Sequence, residues 1–293
     1  MCGAGARRRL VSGRDAAGRG EPGIWLGIVL YRNPTRELER LWTSLQWNRD
    51  AMGAPGFRVT WLDNSPDDSL RDVVTRLDAR ADYRYSGQNL GFGGAHNRLM
   101  AEAFGTAGVR HYICVNPDGV LHPDCVRELV HEADRLPDTG LVEARLFPDE
   151  HPKPYDPVTG ETPWCSGCVL LVTRKLHARA GGFDERFFMY CEDVDLSWRA
   201  RALGLSVRVA PAARVHHYTV TREESPLRER MVRRSAALLG AKYGNATFMR
   251  DRLREYSALG GEPFAVPEVV NPGWRLSRIA EFGHHLEFAR RRW

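Results

Sequence analysis

The sequence has little lysine, no long apolar run and no regular cysteine framework. Lysine occurs only three times among the 42 lysine and arginine residues, as Lys153, Lys175 and Lys242. This bias toward arginine suggests a GC-rich, bacterial coding sequence. No run approaches the roughly 18–20 apolar residues that a transmembrane helix needs, so a membrane-spanning protein is not expected. The six cysteines follow no secreted disulfide pattern, and no apolar signal segment precedes them. These absences together predict a cytoplasmic protein.

The positive charge lies at the two ends of the chain. The formal net charge is +5 and the sequence pI is about 9.0. Residues 1–20 carry +4 and residues 275–293 carry +3, which leaves −2 for the residues between them. The middle of the chain therefore lacks the net positive charge of a nucleic-acid-binding surface, and no nucleic-acid partner is expected. Residues 1–22 have no apolar segment and are expected to form a disordered basic leader.

Apolar runs alternate with amphipathic segments through about residue 140. The runs at 23–31 and 112–115 are rich in apolar residues and predict buried strands. Between them, Leu38, Leu41 and Leu45 recur at helical spacing. This alternation predicts an α/β fold, a Rossmann-like and mostly parallel sheet flanked by helices.

The pattern changes beyond residue 140. A proline-rich loop at 148–163 interrupts it, and the strands and helices that follow are less regularly spaced. The predicted elements are strands at 140–148, 168–174 and 205–211, a helix at 192–204, and charged helices within 222–259.

The segment YICVNPDG, residues 112–119, ends an apolar strand on a rigidly placed carboxylate, Asp118. Ligands of open α/β sheets gather beyond the carboxyl ends of strands, where Asp63 is also predicted to lie. A carboxylate there is costly unless a cation or hydrogen bonds compensate it, so Asp118 predicts a hard divalent ion such as Mg²⁺ or Mn²⁺. A turn capped by Asp118 with Gly119 is the alternative, and the tripeptide alone does not separate the two.

A glycine-rich turn, GQNLGFGGAHN at residues 87–97, precedes a predicted helix. Its glycines allow the backbone to approach a ligand closely, and N–H groups at a helix start are suited to a diphosphate or a ribose. The spacing is neither the Walker pattern nor the dinucleotide fingerprint. A turn without a ligand therefore remains the alternative for this segment on its own.

Acidic residues open the predicted helix at 192–204. Asp193 and Asp195 are two residues apart and cannot share a helical face. One of them is expected to face a ligand while the other caps the helix or pairs, for example with Arg199. Glu192 taken alone is also explained by the helix dipole, which favours a carboxylate at a helix N-terminus.

Two further motifs carry metal-type side chains. CSGC at 165–168 has redox or half-zinc-site spacing, but no second such pair exists, so two packed, reduced cysteines are the preferred interpretation. His216 and His217 follow a predicted strand. Adjacent strand residues face opposite sides, so at most one of these histidines reaches a common site, and only with carboxylate partners is it a metal ligand.

Taken in order, these segments resemble the inverting family-2 glycosyltransferases of the GT-A fold, and in particular their rhamnosyl- and galactofuranosyltransferase-like branch. The motifs are IVLYRNP, WLDNS, QNLGFGGAHN, NPD, and GGFDERFFMYCEDVDLSWRARALG followed by VHH. The resemblance runs from about Ile24 to Thr221. The units it implies are a GT-A catalytic domain at 23–221, with a nucleotide-binding half at 23–140 and an acceptor half at 141–221, and a helical C-terminal extension at 222–293.

The resemblance implies inverting sugar transfer from a nucleotide diphosphate sugar, dTDP- or UDP-linked, to an acceptor hydroxyl. Asp193, in the Glu192–Asp193 pair, matches the general base. Asp118 matches the residue that contacts Mg²⁺ or Mn²⁺, and His217 the third metal-side residue. Tyr31 and Asp63 match positions near the base and ribose. The full set implied to line the nucleotide-sugar site is Tyr31, Asp63, Gln88, Asn89, Gly91, Asn97, Asn116 and Trp164.

Three positions depart from the family pattern. Asn116 replaces the first Asp of the Asp-x-Asp motif, and Leu30 and Arg32 stand where Thr and Asn are frequent. The choice between uridine and deoxythymidine donors therefore stays open, as does the acceptor, which is a small molecule, a lipid or a polysaccharide.

A sugar nucleotidyltransferase and a non-catalytic nucleotide-sugar-binding module are the alternative functions. The first also places carboxylates around Mg²⁺ on a doubly wound sheet, but a glycine-rich signature is expected after its first strand, where YRNPTREL stands here. The second would tolerate loss of the Glu192–Asp193 pair, which is present.

The segment 274–293 mixes apolar residues with arginine. One interpretation lays it on an anionic membrane surface, which suits a lipid-linked acceptor. The preferred interpretation is a helix docked on the domain or on a second subunit. The apolar residues are Trp274, Leu276, Ile279, Phe282, Leu286 and Phe288.

Overall fold

A computed structural model describes residues 23–217, 225–269, 278–283 and 286, together with the backbone of 290–291. The predicted leader at 1–22 lies outside the described residues, and so does the boundary predicted between residues 221 and 222.

The first half of the chain alternates strands and helices as predicted. Its elements are β1 (Ile24–Leu30), α1 (Thr35–Met52), β2 (Arg58–Asp63), α2 (Leu70–Leu77), β3 (Asp82–Tyr85), α3 (Gly91–Gly105), β4 (His111–Val115), β5 (Gly119–Leu121) and α4 (Cys125–Arg135). β1 pairs in parallel with β2 and β4, and β2 pairs in parallel with β3. Because helices cover both faces of these strands, β1 is almost continuously buried, as its unbroken apolar run predicts.

The second half adds strands of mixed direction. Its elements are β6 (Thr139–Phe147), β7 (Asp149–Glu150), β8 (Val169–Thr173), α5 (Arg174–Ala180), α6 (Glu192–Ala202), β9 (Ser206–His217), α7 (Pro226–Lys242), α8 (Ala246–Ala258) and β10 (Arg290–Arg291). The main sheet has the order β3-β2-β1-β4-β8-β6-β9-β5. β8 runs antiparallel to both of its neighbours, and β5 runs antiparallel to β9.

Two differences from the sequence-based prediction matter for the site. β9 continues past the predicted end at residue 211 and reaches His217, and the short strand β5 pairs with its last residues. Apolar periodicity marks a strand but carries no information on its direction or its partner, so neither feature was predictable from the pattern.

The core has one apolar layer on each face of the sheet. Leu41, Val74 and Leu129 belong to the layer formed by α1, α2 and α4. Leu99 and Leu196 belong to the layer that α3, α5 and α6 form on the other face. The predicted α/β sheet flanked by helices is therefore confirmed.

The C-terminal part of the chain packs on this core through a third, aromatic cluster. Trp198 of α6 contacts Tyr243 at 4.8 Å and Phe282 at 5.2 Å between ring centroids. Arg201 donates to the carbonyl of Ile279 at 3.3 Å and pairs with Glu281 at 3.4 Å. The described part of the 274–293 segment therefore docks on the domain, while Trp274, Leu276 and Phe288 lie outside the described residues. In the described parts of the chain, no helix combines the length and apolar character that crossing a bilayer requires.

Candidate active site

The carboxyl ends of β1, β2 and β4 lie side by side at one edge of the sheet. β1 pairs with β2 as far as Leu30 and Asp63, and with β4 as far as Val115. Asp63 is fully buried, and its carboxylate accepts from the Ser65 N–H at 2.8 Å and from the Tyr83 hydroxyl at 2.6 Å. Asp63 thereby fixes the loop after β2 at the edge where ligands of such sheets bind.

Asp118 and His217 meet where β5 begins and β9 ends. The pairing of Gly119 with His217 brings them together, and His217 Nε2 lies 3.2 Å from Asp118 Oδ1. Burial alone would lower the pKa of His217, but Cys168 and Asp118 outweigh burial and raise it to about 10. His216 is exposed, so His217 is the histidine that faces the carboxylate.

The loop before β8 joins this pair to the acidic helix. The N–H of Asn116 donates to the carbonyl of Cys168 at 2.8 Å. The N–H of Gly167 donates to Asp193 Oδ2 at 2.9 Å. Two adjacent residues of one short loop therefore make both contacts. Cys168 binds the segment that carries Asp118, and Gly167 binds the side chain of Asp193.

Glu192 and Asp193 begin α6 directly after a left-handed turn. Tyr190 and Cys191 have φ values of 70° and 65°, a region that costs a non-glycine residue about 1–3 kcal/mol. Glu192 is 5% exposed, and its Oε2 has no hydrogen-bond partner among the described residues. Burial and the charge of Asp193 raise the pKa of Glu192 well above its usual range, and burial also raises the pKa of Asp193. Strain and buried carboxyls with perturbed pKa values are typical of functional sites.

Asp195 takes the pairing role that the spacing predicts for one of the two aspartates. It is fully buried and accepts from Arg199 Nε at 2.8 Å and from the Tyr243 hydroxyl at 2.9 Å. It also pairs with Lys242 of α7. Asp195 therefore anchors the C-terminal helices to α6, and Asp193 remains for the ligand side.

The N-terminus of α3 packs against the segment that leads to the acidic pair. Gly91 has φ +70°, and a Cβ atom there would lie 2.2 Å from the carbonyl oxygen of Phe188, which accepts from the Phe92 N–H at 3.0 Å. The amide of Asn97 donates to the Phe183 carbonyl at 2.9 Å and accepts from the Phe183 N–H at 2.7 Å. Gly91 and Asn97 thus position this segment, and their direct contact with a nucleotide stays a prediction.

A family model described as Glycosyl transferase family 2 matches residues 28–194, more than half of the chain. The chain belongs to glycosyl transferase family 2.

Two rhamnosyltransferases are similar to this glycosyltransferase in sequence. N-acetylglucosaminyl-diphospho-decaprenol L-rhamnosyltransferase of Mycobacterium tuberculosis is 29% identical over 233 residues, and the match covers 65% of this chain and 75% of the relative. Rhamnosyltransferase WbbL of Escherichia coli K12 is 42% identical over 55 residues, which are 19% of this chain and 21% of the relative. The predicted rhamnosyltransferase-like branch of the family is confirmed by these relatives.

A solved glycosyltransferase shares the fold. The mannosyltransferase PcManGT from Pyrobaculum calidifontis, solved in complex with GDP-Man and Mn²⁺, has a TM-score of 0.57 and 15% identity. The match covers 82% of this chain and 69% of that chain. It confirms the predicted GT-A fold.

Asp118 and His217 of this glycosyltransferase fit a divalent cation. Their facing atoms lie 3.2 Å apart, and carboxylate oxygen with imidazole nitrogen suits Mn²⁺. Within the described ranges no group of three His, Cys, Asp or Glu side chains forms a metal cage made of protein alone. Substrate phosphates and water would complete the coordination, as at many Mg²⁺ sites. An incoming cation must displace the His217 proton, because only neutral imidazole is a ligand.

The remaining residues of the predicted nucleotide-sugar site differ in exposure. Tyr31 is 46% exposed after β1, and Gln88 and Asn89 are exposed on the turn before α3. Asn116 is half-buried at the end of β4. These four side chains lie on segments that follow the strand ends, and their contact with a nucleotide sugar stays a prediction.

Trp164 is instead buried, with 4% exposure, in the aromatic cluster that includes Phe187 and Trp198. The structure gives its ring a packing role, and its predicted contact with a sugar remains untested. The neighbouring Cys165 and Cys168 are both buried and form no disulfide, as expected of packed cysteines.

The sequence-based reasoning missed the residues behind this loop. Gly167 holds Asp193, Glu143 lies inside the strand β6, and Lys153 lies in the proline-rich loop. A glutamate within the apolar run GLVEARLFP and one of only three lysines in the chain were the available signals. Neither signal gives the partner of the charge, which is set by the tertiary structure.

Proposed function

We propose that this glycosyltransferase transfers an L-rhamnosyl-type sugar from a dTDP- or UDP-linked donor to an acceptor hydroxyl, with inversion. The observation that carries the proposal is the short loop that ties Asp193 to the segment bearing Asp118. A base for the acceptor and a cation site for the donor diphosphate then share one edge of the sheet. The similarity to the mycobacterial L-rhamnosyltransferase, over 75% of that protein, supports the choice of sugar.

Asp193 acts as the general base in this proposal. Its two carboxylate oxygens accept backbone N–H groups of Gly167 at 2.9 Å and Val194 at 2.8 Å, which fix the carboxylate in direction. Burial raises its pKa and so increases its strength as a base. A positioned base of this kind typically contributes about 10²–10⁴-fold to the rate. A single displacement needs no covalent enzyme intermediate, which is why one carboxylate is sufficient.

Asp118 and His217 would hold the metal ion, Mg²⁺ or Mn²⁺, in this proposal. When bound, the cation neutralises the charge that develops on the leaving diphosphate. The protein supplies the fixed positions of these two ligands, because the pairing of β5 with β9 sets the separation of Asp118 from His217.

The acceptor in this proposal is a lipid-linked glycosyl diphosphate. The mycobacterial relative is named for N-acetylglucosaminyl-diphospho-decaprenol as its acceptor, and that relative matches 65% of this chain. A cytoplasmic protein that contacts the membrane only peripherally suits such an acceptor, and free buried cysteines suit a reducing compartment.

The test is a donor panel of dTDP-, UDP- and GDP-sugars, with and without EDTA, and a synthetic prenyl diphosphate N-acetylglucosamine as acceptor. Mass detection reports sugar transfer, and NMR of the product reports the anomeric configuration. We expect metal-dependent transfer of L-rhamnose with an inverted configuration. Pyrophosphate exchange would instead indicate a nucleotidyltransferase, and donor binding without turnover a binding module.

Three variants separate the proposed roles. Asp193→Asn should lower turnover by about 10²–10⁴-fold while the donor still binds. Asp118→Ala should weaken donor binding in the presence of Mn²⁺. Asp251→Asn, which removes an exposed carboxylate paired with Arg254 on α8, is the matched control and should leave both measurements unchanged. Near-normal turnover in Asp193→Asn would refute the assignment of the base.

A further inference from the structure

Lys153 and Glu143 form a buried ion pair that the proposed chemistry does not use. The two residues are 7% and 5% exposed, and Lys153 Nζ lies 2.6 Å from Glu143 Oε2. Removing two charges from water is expensive, and a buried pair contributes little net stability compared with apolar residues of similar volume. Stability alone therefore does not explain why this pair is buried.

Both members of the pair also hold the loop that precedes β8. Lys153 Nζ donates to the carbonyl of Trp164, and the N–H of Ser166 donates to Glu143 Oε2. The next residue, Gly167, donates its N–H to Asp193 Oδ2 at 2.9 Å. Three successive bonds along one short loop thus connect the ion pair to the proposed base.

The loop leaves little freedom at the point of contact with the base. A Cβ atom on Gly167 would lie 3.0 Å from the Phe92 ring and 3.6 Å from Asp193 Oδ2. The backbone at this position is therefore enclosed between an aromatic ring and the carboxylate. A shift of the loop at Trp164 or Ser166 would be transmitted to the Gly167 N–H, because Ser166 is adjacent to Gly167 and only two residues separate Trp164 from it.

The charges around Asp193 come from several elements. Glu192 and Asp195 lie on its own helix, and the thiols of Cys114 on β4 and Cys191 before α6 face the same region. Glu143 on β6 and Lys153 in the proline-rich loop are the facing ion pair. Burial raises the pKa of Asp193, whereas the charge of Lys153 and the backbone N–H donors lower it.

We propose that the Lys153–Glu143 pair is a positioning device for the general base: it fixes the loop whose Gly167 N–H aims Asp193, and Lys153 supplies a positive charge that favours the ionised base. This inference rests on the proposed role of Asp193. Neither residue touches substrate in this account, so both act through Gly167 and through the electric field at the carboxylate.

The test is the pH dependence of kcat/KM for sugar transfer, measured with the donor and acceptor identified by the panel described above. Lys153→Met removes the cation, so we expect kcat to fall and the acidic limb of the profile to move to higher pH by about one unit. Glu143→Gln removes an anion but keeps an acceptor for the Ser166 N–H, so its acidic limb should move to lower pH. Opposite shifts in the two variants are not expected from a structural defect alone.

Lys175→Met is the matched control. Lys175 also donates to a backbone carbonyl, that of Pro137, but it is an exposed residue. Its profile should coincide with that of the wild type. If Lys153→Met does not fold, Lys153→Gln removes the same charge while it retains a hydrogen-bond donor, and the same upward shift is expected.

Two results would overturn the proposal: acidic limbs at the wild-type pH in both variants, or shifts in the same direction in both. Failure of the proposed function is visible separately, because Asp193→Asn would then retain turnover whatever the Lys153 and Glu143 variants do.

Discussion

Gly91→Ala tests how the fold positions the acidic pair. Gly91 has φ +70° at the start of α3, and a Cβ atom there would lie 2.2 Å from the carbonyl oxygen of Phe188. A side chain at this position therefore meets rigid backbone as well as an unfavourable conformation. The segment that must move lies just before Glu192 and Asp193 in the chain.

The magnitude follows from two contributions. A left-handed conformation costs an alanine about 1–2 kcal/mol relative to glycine. Displacing the Phe188 carbonyl weakens its hydrogen bond from the Phe92 N–H, which is 3.0 Å long, and losing such a bond costs about 0.5–1.5 kcal/mol. We therefore expect Gly91→Ala to lower the free energy of unfolding by about 1.5–3.5 kcal/mol.

Gly94→Ala in the same helix is the matched control. Its Cβ would lie 3.6 Å from Leu90 Cβ, an ordinary van der Waals contact, and its φ is not positive. Alanine is better than glycine in a helix by about 0.5–1 kcal/mol, so this variant should be slightly more stable than the wild type. Urea unfolding followed by far-UV circular dichroism measures both variants.

Turnover supplies the functional part of the test. At saturating donor and acceptor, Gly91→Ala should lose activity even below its unfolding transition, because the displaced Phe188 segment carries the acidic pair with it. Equal stabilities for Gly91→Ala and Gly94→Ala, or normal turnover in the former, would refute the packing role assigned to Gly91.

Two further predictions concern α6. Burial raises the pKa of Glu192 in the folded protein. The stability that protonated Glu192 contributes is therefore fully present below the ordinary glutamate pKa, and it is lost as the pH rises toward the pKa of Glu192 in the folded protein. The stability of Glu192→Gln relative to the wild type should therefore increase with pH above about 4.5. The total gain should be about 1.4 kcal/mol for each pH unit by which folding raises the pKa of Glu192, measured by thermal or urea unfolding without ligand. A difference independent of pH would contradict the burial argument. Tyr243→Phe removes a 2.9 Å hydrogen bond to the buried Asp195 and should cost about 1.5–3 kcal/mol in urea unfolding. Tyr256→Phe on α8, for whose hydroxyl the described residues supply no hydrogen-bond partner, should cost far less, and equal costs would exclude an anchoring role for Asp195.

The sequence allowed the main elements of the sheet and its flanking helices to be predicted. The apolar run of β1 and the helical spacing of Leu38, Leu41 and Leu45 reappear as a buried strand and the buried side of α1. The resemblance of the ordered motifs also identified the family before any geometry was known. The direction of β8 was not predictable, because antiparallel and parallel buried strands have the same apolar composition.

The candidate site was predictable in its acidic residues but not in what holds them. The spacing of Asp193 and Asp195 was enough to assign them different partners, and Asp195 does pair with Arg199. Nothing in the spacing indicated that Gly167 would donate to Asp193 or that Lys153 would be buried. The Gly167–Asp193 contact joins residues 26 positions apart, and the burial of Lys153 depends on how the proline-rich loop packs against β6.

The sequence by itself determined which segments become strands and helices and which residues carry charge at strand ends, because periodicity and composition act over short distances along the chain. Only the tertiary structure decided that His217 rather than His216 faces Asp118, and that one loop joins Asp118 to Asp193. These choices depend on strand register and on the pairing of buried charges. Both are settled by packing between segments that the linear sequence leaves far apart.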